Sequence, residues 1–476
     1  MTPPETSGVA SIGNADNLES MEPALSRGWI AEKKEFIILL ADIVVMLALL
    51  KFLPYEPQTS AGLSILFFVG VLWLTEAVHI TITALLVPIL AVIFGLMNVN
   101  KALVGFADPT IFLFFGGFAL ATALHIQGID RFIANSLLRL ARGRLATAAI
   151  MLFLATAGLS MWISNTATAA MMLPLSLGIL GNLDREKEHG TFIFLLLGVA
   201  YSASIGGLGT LVGSPPNAIA AAHLGLDFMG WMKFGLPVMI VMLPLMIGVL
   251  YLVFRPNLKH HIKVQDYDFI WTQPRVVTIG IFLLAALCWI FSSVLSEALG
   301  KVAQFDSVVA IGAAILIGVT GVATWKQIQV NTEWGVLLLF GGGLTLSAIL
   351  KDSGASVVMA EAISHLIGNG HWLVILLAAA AFIILLTEFT SNTASAALMV
   401  PLFGTVGEAL GMPSHLLPLV IGIGASMAFM LPVATPPNAI VFGSGYIKQQ
   451  EMVKAGFCLV VVSILVLALF GWFVWR

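Results

Sequence analysis

Two copies of a short polar motif interrupt apolar stretches of this sequence. One begins at Ser164 and the other at Ser391; each reads Ser-Asn-Thr-Ala and continues to a proline, and eight of the eleven positions are identical. Hydroxyl and amide oxygens are ligands that hard cations take, while N–H groups at the start of a helix favour an anion. These residue types therefore predict a site that holds cations beside a small anion such as a carboxylate.

Further hydroxyls and helix breakers accompany each motif. Ser160 and Thr387 stand four residues before the first serine of their motif, a spacing that places both side chains on one helix face. About 50 residues after each motif a Pro-Pro-Asn sequence follows, beginning at Pro215 and Pro436. Because proline breaks helices and leaves carbonyls without amide partners, these segments are candidates for Na⁺ coordination, as in the unwound helices of transporters.

The carbonyls near Gly213 and Ala434 are the nearest candidates for such coordination. The asparagines after the prolines, Asn217 and Asn438, are expected to cap the helices that resume there. In this interpretation the polar residues around each Pro-Pro pair complete a cation site that the Ser-Asn-Thr motif begins.

The two motifs belong to a longer internal repeat. Phe-Gly-Gly occurs at Phe115 and again at Phe340, in the same order relative to the other two elements. We expect these glycines to permit close helix contact or a helix break rather than to bind phosphate. The hairpins that carry the motifs enter from opposite sides in our trace, and such inverted repeats are typical of secondary transporters, which bind substrate and ions near the membrane midplane.

The elements that position these motifs are membrane helices. The chain has 476 residues, of which 59% are hydrophobic and 10% charged, whereas soluble proteins carry about 25% charged residues. Two apolar stretches, 145–180 and 371–410, are too long for one crossing and are predicted to be re-entrant helical hairpins. The fold class is thus an all-α integral membrane protein with about eleven transmembrane helices, predicted at 35–53, 61–79, 82–97, 110–127, 191–221, 234–254, 276–294, 307–323, 334–350, 416–444 and 456–474.

The basic residues predict the orientation. With the N-terminus in the cytoplasm, 16 of the 22 Lys and Arg residues fall on the cytoplasmic side, as the positive-inside rule requires. An odd number of crossings leaves the C-terminus outside the cell inner (plasma) membrane. We expect four parts: a disordered or tag-like tail at 1–30, a first transmembrane helix within 31–60, a first inverted repeat at 61–264 and a second at 265–476.

Several other classes of function are disfavoured. No aromatic-interleaved basic patch suggests nucleic acid, and no cluster of carboxylates, His or Cys suggests an enzyme. Glu76 and Glu388 lie inside apolar runs, where a carboxylate is a functional candidate. For Glu388, three residues before a motif, we favour a supporting role bonded to backbone or hydroxyl groups over a role in carrying a coupling proton.

The paired Ser-Asn-Thr motifs and the Pro-Pro-Asn segments that follow them resemble the divalent-anion/sodium symporter family, in particular bacterial sodium–dicarboxylate symporters. The resemblance extends over nearly everything beyond residue 30. It implies a homodimer whose subunits each have a scaffold domain and a transport domain that moves like an elevator. It also implies that each hairpin stops partway through the membrane.

The resemblance further implies the ligands at the site. A first sodium site would use Ser160, Ser164, Asn165 and Gly213, and a second Thr387, Thr390, Asn392 and Ala434. Substrate carboxylates would contact Asn165, Thr166, Ser391, Asn392 and Thr393, with Ser214 and Thr435 nearby. The expected function is sodium-coupled symport of C4-dicarboxylates such as succinate, fumarate and malate.

Two alternatives to this function stay open at this point. The same scaffold could carry another anion, such as citrate or sulfate, or could couple transport to protons. A channel would give flux that does not saturate and does not accumulate solute against a gradient.

Overall fold

A computed structural model describes residues 29–141, 143–181, 183–261, 269–359, 362 and 371–476. The predicted tail at 1–30 lies almost wholly outside these residues. Within them the chain is helical and contains no β-strand; an isolated antiparallel bridge joins Arg144 to His261. The all-α fold class is confirmed.

The helices follow one another through short connections. In chain order they are α1 (Trp29–Phe52), α2 (Pro57–Thr75), α3 (Ile80–Ile93), α4 (Val99–Leu103), α5 (Pro109–Ile126), α6 (Ile129–Arg139), α7 (Leu145–Ser160), α8 (Asn165–Leu180), α9 (His189–Gly206), α10 (Pro215–Leu224), α11 (Phe228–Phe254), α12 (Gln273–Ile290), α13 (Ser292–Ala298), α14 (Phe305–Thr320), α15 (Trp325–Asn331), α16 (Trp334–Asp352), α17 (Trp372–Thr387), α18 (Asn392–Ala409), α19 (Leu416–Gly424), α20 (Pro436–Gly443) and α21 (Gln449–Phe473).

Many of these segments are apolar enough for a membrane. Among the described residues seven are also long enough to cross it: Pro57–Thr75, Val99–Ile126, His189–Gly209, Phe228–Phe254, Gln273–Ile290, Trp334–Asp352 and Gln449–Phe473. Shorter apolar helices include α3, α7, α8, α14 and α17. The predicted count of about eleven crossings stays a prediction, because helices of about 15 residues are shorter than a hydrocarbon core of about 30 Å.

The two long apolar stretches fold back as helical hairpins, as the sequence predicts. The first hairpin consists of α7 and α8, and the second of α17 and α18. Each second helix is capped by the first serine of its motif: the Ser164 hydroxyl accepts a bond from the N–H of Ala167 at 3.3 Å, and Ser391 accepts one from Ala394 at 3.4 Å. The serine therefore sets where each hairpin turns.

The predicted spans 191–221 and 416–444 are each broken into two helices. The first breaks between Gly206 and Pro215, and the second between Gly424 and Pro436. Proline occupies the first two helical positions after each break, where its missing N–H costs nothing. The break that the Pro-Pro pairs predict is confirmed.

The expected capping role of the two asparagines is also wrong. Ser214 and Thr435 occupy the cap positions, and Asn217 and Asn438 fall inside the resumed helices. Each amide reaches back instead: Asn217 Nδ2 donates to the carbonyls of Gly207 and Thr210, both at 2.8 Å. Because the prolines fill the first helical positions, the asparagine comes too late to cap the helix, and its buried side chain braces the unwound segment.

Asn438 repeats this arrangement in the second half. Its Nδ2 donates to the carbonyls of Ala428 at 3.3 Å and Leu431 at 3.0 Å. Both asparagine side chains are fully buried; their Nδ2 atoms are paired, and their Oδ1 atoms have no hydrogen-bond partner among the described residues. The two breaks are therefore held open by the same pair of bonds, which satisfy carbonyls that the helix no longer uses.

The Phe-Gly-Gly segments allow helices of opposite halves to touch, as expected. A Cβ at Gly116 of α5 would lie 2.4 Å from the carbonyl oxygen of Ala310 in α14. In the related pair, a Cβ at Gly342 of α16 would lie 2.7 Å from the Cβ of Ala84 in α3. Since α3 and α5 belong to the first half and α14 and α16 to the second, each half packs its helices into the other.

Candidate transport site

The two motifs and the two helix breaks meet at one cavity of about 520 Å³. Four helices begin at its wall, α8 and α18 from the hairpins and α10 and α20 after the breaks. Eleven of the residues predicted for the site line it, namely Ser164, Asn165, Thr166, Gly213, Ser214, Thr390, Ser391, Asn392, Thr393, Ala434 and Thr435. The remaining two, Ser160 and Thr387, are fully buried beside the motif asparagines.

Three oxygen atoms converge behind the first hairpin tip. The Ser160 hydroxyl lies 2.6 Å from Asn165 Oδ1 and 2.7 Å from the carbonyl oxygen of Ala203. A hydroxyl carries one proton and can satisfy one of these acceptors at a time. The Ala203 carbonyl also accepts a bond from the N–H of Gly207, and oxygens that converge in this way are ligands that suit a hard cation.

The carbonyl oxygen of Gly213, in the unwound segment between α9 and α10, lies near this group of oxygens. A Cβ added at Gly207 would lie 2.5 Å from Asn165 Oδ1 and 3.0 Å from the Gly213 carbonyl oxygen. The two oxygens therefore border the same small space, which a side chain at Gly207 would fill. The arrangement brings Ser160, Asn165 and Gly213 together as the resemblance implies, while the Ser164 hydroxyl serves as the helix cap.

The second hairpin tip repeats the arrangement. The Thr387 hydroxyl lies 2.5 Å from Asn392 Oδ1 and 3.0 Å from the carbonyl oxygen of Ala425. Thr390, in contrast, bonds the Leu386 carbonyl at 2.9 Å and the Ser395 hydroxyl at 2.7 Å. The Thr390 hydroxyl is thus already engaged within its own hairpin, and its role as a sodium ligand stays a prediction.

The carbonyls of Ala203 and Ala425 were not expected from the sequence. Ala203 lies in the last turn of α9 and Ala425 directly follows α19, so each lies close to a break in the chain. An alanine side chain offers no ligand, so residue type gives no indication of the role. Their position in the sequence, about ten residues before the Pro-Pro pair, is the one feature that points to this region. It does not indicate which carbonyl faces the hairpin.

Helix N-termini supply the positive character of the cavity. The first N–H groups of α8 and α18, at Asn165, Thr166, Asn392 and Thr393, have no acceptor within their own helices. Prolines at the start of α10 and α20 carry no N–H, so the hairpins offer more donors than the broken helices. The residues lining the cavity include no Lys, Arg or His, so an anion would be held by N–H groups, hydroxyls and amides.

Glu388 has the supporting role that the sequence favours, because it joins the second hairpin to the unwound segment that follows α19. Its carboxylate accepts bonds from the N–H groups of Phe429 at 2.7 Å, Met430 at 2.9 Å and Leu431 at 3.1 Å, and the side chain is 1% exposed. These three residues belong to the unwound segment between α19 and α20. In the first half the Thr210 hydroxyl joins the corresponding parts by donating to the Met161 carbonyl.

The two hairpin tips differ in their aromatic contacts. Trp162 stacks on Phe228 and Trp289, with ring centroids 5.8 and 6.3 Å apart. Phe389, the equivalent residue of the second hairpin, is 77% exposed and lines the cavity. One tip is therefore packed against α11 and α12, and the other borders open space.

Two carboxylates also line the cavity. Glu76 follows α2, and Glu333 precedes α16. Glu76 was a candidate from its place in an apolar run, whereas Glu333 was missed because it stands at the polar end of a helix, where an acidic residue is ordinary. Both are exposed.

Comparison with known proteins identifies the family. A family description of citrate transporters (CitMHS) matches residues 70–424. An uncharacterized transporter of Haemophilus influenzae is 61% identical, over 93% of this chain and 97% of the relative. The sodium-dependent dicarboxylate transporter SdcS of Staphylococcus saprophyticus is 33% identical, over 92% of this chain and 90% of the relative.

A solved structure supports the same architecture. The YdaH transporter of Alcanivorax borkumensis aligns over 78% of this chain and 85% of its own, with a TM-score of 0.54 and 15% sequence identity. At that identity the likeness concerns the fold alone. The resemblance that the motifs indicated is confirmed by the relatives, and the chain belongs to the citrate transporter family of multi-pass membrane transporters and is not an enzyme.

Proposed function

We propose that this protein is a sodium-coupled symporter of C4-dicarboxylates such as succinate, fumarate and malate. The observation that carries the proposal is that each motif asparagine joins two environments. Asn165 and Asn392 place a side-chain oxygen beside a buried hydroxyl and a helix carbonyl, and both residues also line the cavity at a helix N-terminus. One residue in each half thus contributes to a cation site and an anion site together.

Coupling follows from these shared residues. Na⁺ held by Ser160, Ser164, Asn165 and Gly213, and by Thr387, Thr390, Asn392 and Ala434, fixes the orientation of both amides. The fixed tips then present N–H groups and hydroxyls from Thr166, Ser391 and Thr393 to the carboxylates, with Ser214 and Thr435 beside them. Because both ligands use the same asparagines, each tightens the binding of the other.

Relatives named as sodium-dependent dicarboxylate transporters support this choice of ion and substrate. We further propose a homodimer in the plasma membrane, with the N-terminus in the cytoplasm and the C-terminus outside. Each subunit would have scaffold and transport domains that alternate access by an elevator motion. The helices at the site, α7–α10 and α17–α20, are the natural transport unit, because they carry every proposed ligand.

Uptake of labelled succinate into proteoliposomes under an imposed sodium gradient tests the proposal. We expect the native protein to accumulate succinate, and Asn165→Ala and Asn392→Ala each to lower uptake at least about tenfold, since a lost bond to a charged group costs about 1.5–3 kcal/mol. Asn331→Ala, at the exposed end of α15 and outside the cavity lining, is the control and should transport normally. Equal uptake without sodium would refute the coupling.

A second candidate is a citrate carrier on the same scaffold. It is favoured by the description of the matching family as citrate transporters. Competition of citrate, sulfate and C4-dicarboxylates against labelled succinate separates the two. We expect the C4-dicarboxylates to compete most strongly.

A further inference from the structure

Two glutamates stand on the wall of the cavity that receives the anion. Glu76 lies in the connection between α2 and α3, and Glu333 lies between α15 and α16. Neither carboxylate makes a hydrogen bond or ion pair with the part of the chain that the structure describes. They belong to neither hairpin and are separate from the proposed ligands.

The cavity is small enough for these charges to act on its contents. A volume of 520 Å³ corresponds to a sphere with a radius of about 5 Å, which is less than the Debye length of about 8 Å at physiological ionic strength. The lining residues include no basic side chain that would neutralise either glutamate. An anion bound here therefore experiences repulsion from both.

Repulsion of this kind grows with the charge of the anion. A dicarboxylate brings two negative charges, which the two hairpin tips can face one each. A tricarboxylate such as citrate brings a third charge, for which the cavity offers no third tip and no cationic side chain. The two glutamates therefore weaken the binding of the trianion more than the binding of the dianion.

We propose that Glu76 and Glu333 are specificity-determining residues that make the cavity prefer doubly charged carboxylates over triply charged ones. The proposal rests on the proposed function, since it concerns which anion the same site takes. It separates the dicarboxylate carrier from the citrate carrier on physical grounds that the hairpin motifs do not supply.

Glu76→Gln, Glu333→Gln and the double variant remove the charges while keeping the shape of the side chains. Inhibition of labelled succinate uptake is measured with malate and with citrate at pH 8, where all carboxyl groups of both are ionised. For charges about 5 Å apart in water, Coulomb's law with screening over a Debye length of about 8 Å predicts that each substitution improves citrate relative to malate about twofold, and the double variant about fourfold. Glu186→Gln, on an exposed loop outside the cavity lining, is the matched control and should leave the ratio unchanged.

A ratio that is the same in the native protein and the double variant would overturn the inference. Absence of sodium-driven succinate uptake by the native protein is a different result and refutes the proposed function. In that case the same ratio is measured from the stabilisation of the purified protein against heat by each anion. An unchanged ratio of malate to citrate stabilisation in the double variant then overturns the charge preference independently of transport.

Discussion

At the scale of single residues, the site depends on oxygens that converge behind each hairpin tip. The Ser160 hydroxyl faces both Asn165 Oδ1 and the Ala203 carbonyl, and Thr387 repeats the arrangement. Since one proton serves two acceptors, one acceptor in each group is left without a donor from this hydroxyl. A bound Na⁺ would satisfy all three oxygens, which makes each hydroxyl a direct test of the cation site.

We expect Ser160→Ala and Thr387→Ala each to raise the sodium concentration for half-maximal uptake by about tenfold, which corresponds to the loss of about 1.4 kcal/mol of binding free energy. The measurement is the sodium dependence of succinate uptake in proteoliposomes. Ser176→Ala and Thr405→Ala are matched controls, because those hydroxyls bond only carbonyls within their own helices. A sodium dependence that is unchanged in the first pair would remove these hydroxyls from the site.

At the scale of helices, the helices of each half of the repeat pack against helices of the other half. Gly116 and Ala310 join α5 to α14, and Gly342 and Ala84 join α16 to α3. Small residues let membrane helices approach closely enough for extensive packing. The glycines of the two Phe-Gly-Gly segments thus form two close contacts that join each half to the other.

Gly342→Ala should destabilise the protein by about 1–3 kcal/mol, because its Cβ would lie 2.7 Å from both Cβ and O of Ala84 and the two helices would have to move apart. Thermal unfolding in detergent measures the effect. Gly280→Ala in α12 is the control, since a Cβ there meets nothing within 4 Å. Similar melting temperatures for the two variants would show that the close contact does not limit stability.

At the scale of the whole molecule, polar contacts join distant segments beside the membrane helices. Glu188, just before α9, accepts bonds from His260 at 2.7 Å and Asn257 at 3.0 Å, both beyond α11. Burial raises the pKa of Glu188, but the bonds from His260, Asn257 and Thr191 outweigh it and leave the pKa below its ordinary value. The folded state therefore favours the charged carboxylate.

A lowered pKa in the folded state fixes the sign of the pH dependence. The stabilisation from Glu188 is fully present above the ordinary pKa of 4.5 and is lost as the pH falls through the lowered folded value. We expect Glu188→Gln to lower the melting temperature at pH 7, and the difference from the native protein to shrink as the pH falls below 4.5. Glu186→Gln is the control; a difference independent of pH would contradict the assignment.

Much of the architecture follows from local sequence. The turns of the hairpins and the breaks at Pro215 and Pro436 depend on residues close together in the chain, so residue type and spacing predict them. The motifs also indicate which residues meet at the cavity, because a repeated polar sequence in an apolar chain has few other uses. Orientation, domain motion and dimer formation stay predictions.

Tertiary structure alone decided the rest. The roles of the Ala203 and Ala425 carbonyls, the bracing by Asn217 and the place of Glu333 on the cavity wall depend on which distant segments come together. Equivalent residues can also differ, as Trp162 is stacked on aromatic rings and Phe389 is exposed. A repeated sequence determines which helices, turns and breaks each half forms. The surroundings of equivalent residues still differ, because they depend on which distant helices pack against them.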